Sequence, residues 1–219
     1  FFFLMQGVAT TLALGGAWFV YLAIGAGILP SDFVDDDVMG GGEKNILLII
    51  LLLLVVVLPA SFIMGFSFPV VQKAVQRDLD RLGSRVGLVQ LANIIGNSMG
   101  SLVAGLVLLD LVGTAGTLKL LVAIGLAFAV MQLFGARSTR WAWLPAALLT
   151  AGLALFPGGE AFWRRLHGLT VEKAIVAEDK TGLSLLKMSD SGASKDDGRL
   201  YIQGHSQSRL PFDTVHSYL

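Results

Sequence analysis

The sequence predicts a mostly α-helical, polytopic membrane bundle of about five spans, followed by a small C-terminal antiparallel β segment. Hydrophobic residues make up 54% of the 219 residues, and the mean hydropathy is +0.72. Only 15% of residues are charged, whereas soluble domains hold roughly a quarter. The 32 charged residues divide equally between residues 1–157 and the last 62 residues. The chain therefore has an apolar part, 1–157, and a polar tail, 158–219.

Five apolar stretches account for the predicted spans. A helix needs about 20 apolar residues to cross the hydrocarbon core of a bilayer. The stretches that approach or exceed this length are Phe1–Leu29, Ile46–Phe68, Gly87–Leu109, Leu118–Phe134 and Trp141–Phe156. The last is short and contains Pro145, so it either crosses a thinned bilayer or is re-entrant. Trp141 and Trp143 at its start suit the aromatic belt at the headgroups.

The first apolar stretch does not have the pattern of a signal peptide. It begins at Phe1 without a basic region, and no small-residue cleavage site precedes Pro30. We expect that further helices precede this segment in the native protein.

The connections between spans contain two further patterns. The loop 30–45 includes three consecutive aspartates, 35–37, and three glycines, 40–42. Neighbouring side chains point in different directions, so the aspartates favour a solvated acidic turn over a metal site. A dinucleotide-binding loop requires a strand before its glycines, and no strand is predicted here. After Pro69, the segment Val70–Leu82 predicts an amphipathic helix, which either lies on the lipid surface or is a plain connector.

The third span carries a stripe of small and polar residues. Residues four apart lie above one another on a helix, and small side chains let helix backbones approach while amides bond across the interface. A transport pathway is the alternative, but the spans contain no ionisable group at mid-membrane. The predicted helix-packing residues are Asn93, Gly96, Asn97, Gly100, Ser101, Ala104 and Gly105.

Basic residues in short loops predict the orientation in the membrane. With five spans, one side holds six basic residues and the other holds Lys44 and Lys119. The basic side, which we place in the cytoplasm, contains Lys73, Arg77, Arg81, Arg85, Arg137 and Arg140. The polar tail then emerges on the opposite side, unless the last span is re-entrant.

The tail changes from helical to β-like patterning. Gly158–Leu169 is a connector with a short interfacial helix, and three runs with strand character follow. These runs are Val171–Ala177, Leu183–Met188 and Arg199–Gln203. About 50 residues bury little core, so we expect the sheet to lean on a partner or on other parts of the chain.

Composition excludes several classes of function. The net charge is zero, which gives no case for nucleic-acid binding. No cysteine is present, so there is no thiol nucleophile and no cysteine metal site. The three histidines, His167, His205 and His216, all lie in the tail. We expect no metal and no cofactor, and we expect the lipid bilayer and other membrane subunits as partners.

Two stretches resemble bacterial proteins that fuse a major-facilitator-like helix bundle to a spermidine synthase. The first is Met64–Pro69 together with Gly83–Leu109, which includes Asn93 and the pair Gly100 and Ser101. The second, Arg199–Gln207 with Asp213 and His216, is similar to the N-terminal β-domain of spermidine synthases. The resemblance implies a bacterial inner-membrane protein, and the five-span count favours a periplasmic tail. The resemblance also implies that Gln207 and His216 correspond to residues that hold the aminopropyl donor and the polyamine.

This sequence departs from the family pattern in the tail. Gln203 stands where Asp or Asn is usual, Thr214 replaces a Glu, and the residues flanking His216 differ. The Gly-rich nucleotide-binding domain and its catalytic Asp would follow Leu219, so the 219 residues lack the machinery for aminopropyl transfer. We therefore expect an accessory or scaffold subunit of a membrane complex that is not catalytic as this chain. The alternatives are a fragment of a fused polyamine aminopropyltransferase and a transporter half.

Overall fold

A computed structural model describes residues 1–29, 43–75, 82–135, 141–168, 174–188, 198–202 and 205–210. The described chain is mostly helical and ends in a small antiparallel sheet, which confirms the predicted combination of helices and sheet but not the predicted five spans. The helices are α1 (Phe2–Gly25), α2 (Glu43–Val75), α3 (Leu82–Val103), a π-helical segment (Ala104–Leu108), α4 (Leu109–Leu133), α5 (Trp143–Leu155) and α6 (Gly159–Leu166).

Three helical stretches among the described residues are long and apolar enough to cross a membrane. They are Phe2–Gly25, Ile50–Val75 and the 51-residue stretch Gly83–Leu133. A fourth results if α5 and α6, which meet at an angle of 88°, are counted as one broken span. The third and fourth predicted spans thus lie in one stretch of helix, with a break in place of the expected loop.

Gly113 is the break in this long stretch. Its φ of 65° and ψ of −176° are not helical, and a positive φ is available to glycine because it has no Cβ. A straight helix of this length would extend about 75 Å, against about 30 Å for the hydrocarbon core. The break at Gly113 divides the stretch into an arm of residues 83–112 and a helix that begins at Thr114.

Contacts between α1 and α2 show that the two helices run antiparallel. Gln6, near the start of α1, donates from Nε2 to the Oγ of Ser67 near the end of α2, at 3.1 Å. Gly16 lies further along α1 and packs against Val56, which is earlier in α2. The end of α2 therefore lies beside the start of α1.

The other two helices of the bundle have equally clear directions. Gly7 of α1 contacts Ala129 of α4, and Thr10 of α1 contacts the earlier residue Gly125 of α4. Helix α4 is therefore antiparallel to α1. By contrast, α5 is parallel to α1, because its early residue Pro145 lies near Gly7, and its later residue Gly152 lies near Leu14. The ends of α1 and α5 and the start of the helix after Gly113 therefore share one end of the bundle.

Close approach of α1, α4 and α5 produces the main hydrophobic core. Glycines at the helix crossings, such as Gly7 and Gly152, leave room for the neighbouring helices. The side chains between the helices are almost inaccessible to solvent. The cluster consists of Leu14, Ala115, Val122, Ala129, Ala146, Leu149, Phe156 and Phe162.

The second span differs from its predicted boundaries. We expected Pro69 to end it and an amphipathic helix to follow, but α2 continues through Pro59 and Pro69 to Val75. Proline removes one backbone donor, and this loss is tolerated inside membrane helices when hydroxyls and neighbouring groups satisfy the freed backbone. Ser67 illustrates such local bonding, since its Oγ donates to the carbonyl of Met64 at 2.7 Å.

The tail forms a four-stranded antiparallel sheet in the order β1–β2–β3–β4. The strands are Ala174–Asp179, Gly182–Met188, Gly198–Ile202 and His205–Leu210. The three predicted runs correspond to the first three strands, with shifted ends. The fourth was missed because His205, Ser206, Ser208 and Arg209 give it no apolar alternation.

Helix α6 connects the bundle to the sheet. The sequence predicted a short interfacial helix here, and the helix is present, but its aromatic residues face protein. Phe162 is buried and stacks on Tyr21 of α1, with the ring centroids 6.0 Å apart. The helix therefore joins the sheet to the end of the bundle.

Candidate functional site

The predicted helix-packing residues occupy one side of α3 and the π-helical segment. Asn93, Gly96, Asn97, Gly100 and Ser101 are exposed. Ala104 and Gly105, in the π-helical segment, are half-buried. The stripe is continuous, and it lies on the arm that precedes the break at Gly113.

No part of the described chain packs against this stripe. A Cβ placed on Gly96, Gly100 or Gly105 would meet no atom within 4 Å. Ser101 donates from its Oγ to the carbonyl of Asn97 at 2.9 Å, a bond within its own helix. Within the described ranges, the side-chain amides of Asn93 and Asn97 make no hydrogen bond.

The exposure of these amides has an energetic consequence in a bilayer. Lipid offers no hydrogen-bond partner, so an unpaired amide there is unfavourable. Small residues beside amides are typical of surfaces on which another membrane helix packs. The geometry thus fits helix packing, while the transport alternative for Asn93 and Asn97 stays a prediction.

Of the two residues that the resemblance implied for substrate binding, one lies in the described part of the chain. Gln207 belongs to β4 and lies at an irregularity in the pairing, because Tyr201 pairs with Ser206 and Leu200 pairs with Ser208. His216 lies outside the described residues. Their predicted role stays untested.

A second candidate site lies where the sheet meets the bundle, around the Glu178 carboxylate. Glu178 is half-buried at the end of β1. Its Oε1 accepts hydrogen bonds from the backbone N–H of Thr114, at 2.8 Å, and from the Thr114 hydroxyl. Its Oε2 accepts from the indole Nε1 of Trp163 in α6, at 2.8 Å. We call these three residues the junction.

The break at Gly113 leaves room for the Glu178 carboxylate. A Cβ on Gly113 would lie 2.8 Å from the Oε2 of Glu178. Glycine therefore provides both the positive φ of the turn and the room for Glu178. Thr117 reinforces the turn, because its Oγ donates to the Gly113 carbonyl at 2.8 Å.

A cavity of about 430 Å³ opens beside the junction. The Nζ of Lys180, which lines this cavity, lies 3.8 Å from the Oδ2 of Asp110, and both side chains are substantially exposed. An exposed pair of this kind contributes roughly 0–1 kcal/mol. The lining residues are Leu109, Thr114, Trp163, His167, Glu178, Asp179, Lys180, Thr181, Gly182 and Leu183.

Aromatic rings connect the bundle core to the sheet through α6. The ring of Trp163 lies 6.2 Å from that of His167, and His167 lies 6.0 Å from Tyr201 of β3. The Nδ1 of His167 is 3.0 Å from the carbonyl of Trp163. His167 is thus packed between α6 and the sheet.

The two arginines of α6 also have partners within the chain. Arg164 donates from Nε and Nη2 to the carbonyl of Ala174 in β1, at 3.2 and 3.0 Å, and pairs with Glu160. The guanidinium of Arg165 lies 4.8 Å from the ring centroid of Tyr21, a cation–π arrangement. Both contacts fix α6 on its neighbours.

The Asp179 carboxylate accepts several hydrogen bonds in the turn between β1 and β2. The hydroxyl and backbone N–H of Thr181 and the N–H of Gly182 all donate to the Oδ1 of Asp179. These bonds, led by that of the Thr181 side chain, lower the pKa of Asp179 below its ordinary value of 3.8. The charged carboxylate stabilises this two-residue turn.

The junction has the properties of a structural contact. Its carboxylate is occupied by three donors, and no cluster of His, Asp or Glu that could hold a metal occurs in the described part of the chain. The acidic loop considered for metal binding lies outside that part, except for Glu43 and its neighbours in α2.

Sequence reasoning missed the junction. Glu178 and Thr114 are 64 residues apart, and no local pattern connects them. The pair Gly113 and Thr114 is a helix-start signal that lies in the predicted loop between the third and fourth spans. This signal could have located the start of the helix at Thr114.

No protein-family model, curated protein or solved structure matches the chain. The resemblance to membrane-fused spermidine synthases stays a prediction.

Proposed function

We propose that the chain is a spermidine-synthase-like accessory subunit of a membrane complex, in which the α3 stripe packs against a helix of another subunit. The observation that carries this proposal is the unpaired surface of Asn93 and Asn97, flanked by Gly96 and Gly100. Helices pack in membranes through small residues and interhelical hydrogen bonds. A neighbouring helix would supply the amides with partners that lipid cannot offer.

Five crossings of the membrane are the second part of the proposal. Arg85 donates to the carbonyl of Val75 at 3.4 Å, which places the start of α3 near the end of α2. The arm must then reach Gly113 at the opposite end of the bundle, so it crosses the membrane once. The helix that begins at Thr114 then crosses back. The short helix α5 makes the fifth crossing with local thinning.

This path supports a position of the tail on the side opposite the basic residues. The sheet contacts the bundle at the end where α1 ends, opposite the end that holds Lys73 and Arg85. Basic residues favour the cytoplasmic side. In a bacterial inner membrane, the tail would therefore lie in the periplasm.

The direct test is to extract the protein in mild detergent and measure the mass and composition of the particle. Gly100→Leu places a large side chain in the stripe without disturbing the chain itself, because no described atom lies near that position. We expect the wild-type protein to elute with a defined partner subunit and the variant to lose it.

Leu102→Phe is the matched control. Leu102 is 58% exposed and lies nine residues after Asn93, about 180° around the helix. The control should keep the partner. A wild-type particle containing one copy of this chain and no other protein would contradict the accessory role.

The tail provides one observation in favour of the alternative, a fragment of a fused polyamine aminopropyltransferase. Its four strands form an antiparallel meander, and Gln207 lies in the last of them. That arrangement fits the N-terminal β-domain that the sequence resembles. The intact mass of the native chain tests it: a mass near 23.3 kDa would exclude a fused catalytic domain, and a larger mass would support one.

A further inference from the structure

The Glu178 side chain connects three elements of the chain. It belongs to β1, receives two hydrogen bonds from Thr114 at the start of the helix after Gly113, and receives one from Trp163 in α6. The oxygen atoms are divided between the two partners, with Oε1 on Thr114 and Oε2 on Trp163. The carboxylate therefore fixes the sheet against two helices at once.

The helix that begins at Thr114 needs an acceptor from elsewhere. The first N–H groups of any helix have no partner within it, and a side chain just before the helix usually supplies one. Gly113 has no side chain, and Glu178 provides the acceptor from 64 residues away. A carboxylate is also favoured there by the positive end of the helix dipole.

Other polar contacts between sheet and helices attach at different places. Lys180 and Asp110 form an exposed pair at 3.8 Å, which contributes little. Arg164 bonds to the Ala174 carbonyl at the far end of β1. Of these contacts, those of Glu178 alone link the sheet directly to the helix start.

We propose that Glu178 is a latch: its two carboxylate oxygens together hold the sheet on the bundle, and one of them, Oε1, also caps the helix start at Thr114. Release of the sheet and loosening of the turn at Gly113 are then one event. A ligand or protein that draws the sheet away would change the membrane helix, and a change in the helix would release the sheet, because coupling between two sites is reciprocal. The latch is independent of the proposed accessory role.

Two measurements on the full chain in nanodiscs separate the two halves of the proposal. Spin labels at Ile175→Cys in β1 and Phe134→Cys at the end of α4 report the position of the sheet. Both residues are highly exposed, and the chain has no native cysteine to interfere. Amide hydrogen exchange of residues 109–118 reports the helix start, since exchange follows local opening.

Glu178→Ala is expected to change both readings. The distance distribution between the labels should broaden, because the sheet is no longer fixed. Exchange in residues 109–118 should rise roughly tenfold or more, as expected for the loss of hydrogen bonds to a charged group. Glu160→Ala is the matched control, since Glu160 pairs with Arg164 of its own helix and is 60% exposed; it should leave both readings at wild-type values.

Two gentler variants test the latch if Glu178→Ala does not fold. Trp163→Phe removes one donor and keeps a ring, and Thr114→Val removes the hydroxyl and keeps the backbone donor. Each should move both readings in the direction of Glu178→Ala, by a smaller factor. The latch is overturned if the labels report a released sheet while exchange in 109–118 stays at the wild-type rate, or if no variant changes either reading.

Discussion

At the scale of single residues, glycines and one carboxylate decide how the chain turns. Gly113 permits the break in the 51-residue helical stretch and leaves space for Glu178. Neither role can be predicted from local sequence: the positive φ is imposed by the change of direction, and the carboxylate arrives from the tail. The sequence contains the helix-start pair Gly113 and Thr114, but no local pattern identifies Glu178 as the hydrogen-bond acceptor for the helix start.

Replacing Gly113 with Ala should destabilise the protein more than the same change at Gly27. Both glycines have a positive φ, of 65° and 70°, but only at Gly113 would a Cβ meet another atom, the Oε2 of Glu178. The backbone strain alone costs about 1–3 kcal/mol at Gly113, because its φ and ψ lie in a region that is essentially restricted to glycine. Thermal unfolding in detergent should rank the variants Gly113→Ala, Gly27→Ala and Gly15→Ala from least to most stable. Equal stability of the first two would show that Glu178 does not occupy this space.

Removing the Thr181 hydroxyl should raise the pKa of Asp179. The Thr181 side chain is the main cause of the lowered pKa, so Thr181→Ala should bring it back toward 3.8. Because the folded-state pKa is depressed, the carboxylate stabilises the turn above the unfolded pKa, and this contribution is lost as the pH falls through the folded value. Carbon-13 NMR titration of the Asp179 carboxyl measures the shift; an unchanged pKa in Thr181→Ala would contradict the assignment.

At the scale of elements, apolar length predicted which segments are helices but not where they end. Prolines did not end α2, because a membrane helix tolerates them, and residues 110–117 continue as helix on either side of Gly113. The polar strand β4 was missed for the opposite reason: its pairing with β3 is backbone bonding that side-chain pattern does not reveal. The stripe on α3 was readable because it repeats at the helical period.

Enlarging Gly152 should separate α1 from α5. A Cβ there would lie 2.2 Å from the Cδ2 of Leu14, inside the core. Overpacking of this kind costs about 1–3 kcal/mol, so Gly152→Val should lower the unfolding temperature in detergent. Gly65→Val is the control, because a Cβ at that position of α2 meets nothing within 4 Å. Equal unfolding temperatures for the two variants would contradict the parallel packing of α1 and α5.

At the scale of the whole molecule, the proposed bundle crosses the membrane with the sheet on one side and the basic residues on the other. The directions of α1, α2, α4 and α5 follow from side-chain contacts. The sequence predicted alternating directions from its five apolar stretches and the cytoplasmic side from loop charges, but it could not decide whether the last span is re-entrant. The contacts of Arg165 with Tyr21 and of Glu178 with Thr114 support a complete crossing.

Labelling of single cysteines with a membrane-impermeant maleimide in intact bacterial cells tests this arrangement directly. The chain has no cysteine of its own, and Lys180 in the tail and Lys73 in α2 are both exposed. We predict that Lys180→Cys reacts in intact cells and that Lys73→Cys reacts only after the cells are permeabilised, with both variants in the membrane fraction. Reaction of the two cysteines under the same conditions, or recovery of the protein in the soluble fraction, would contradict it.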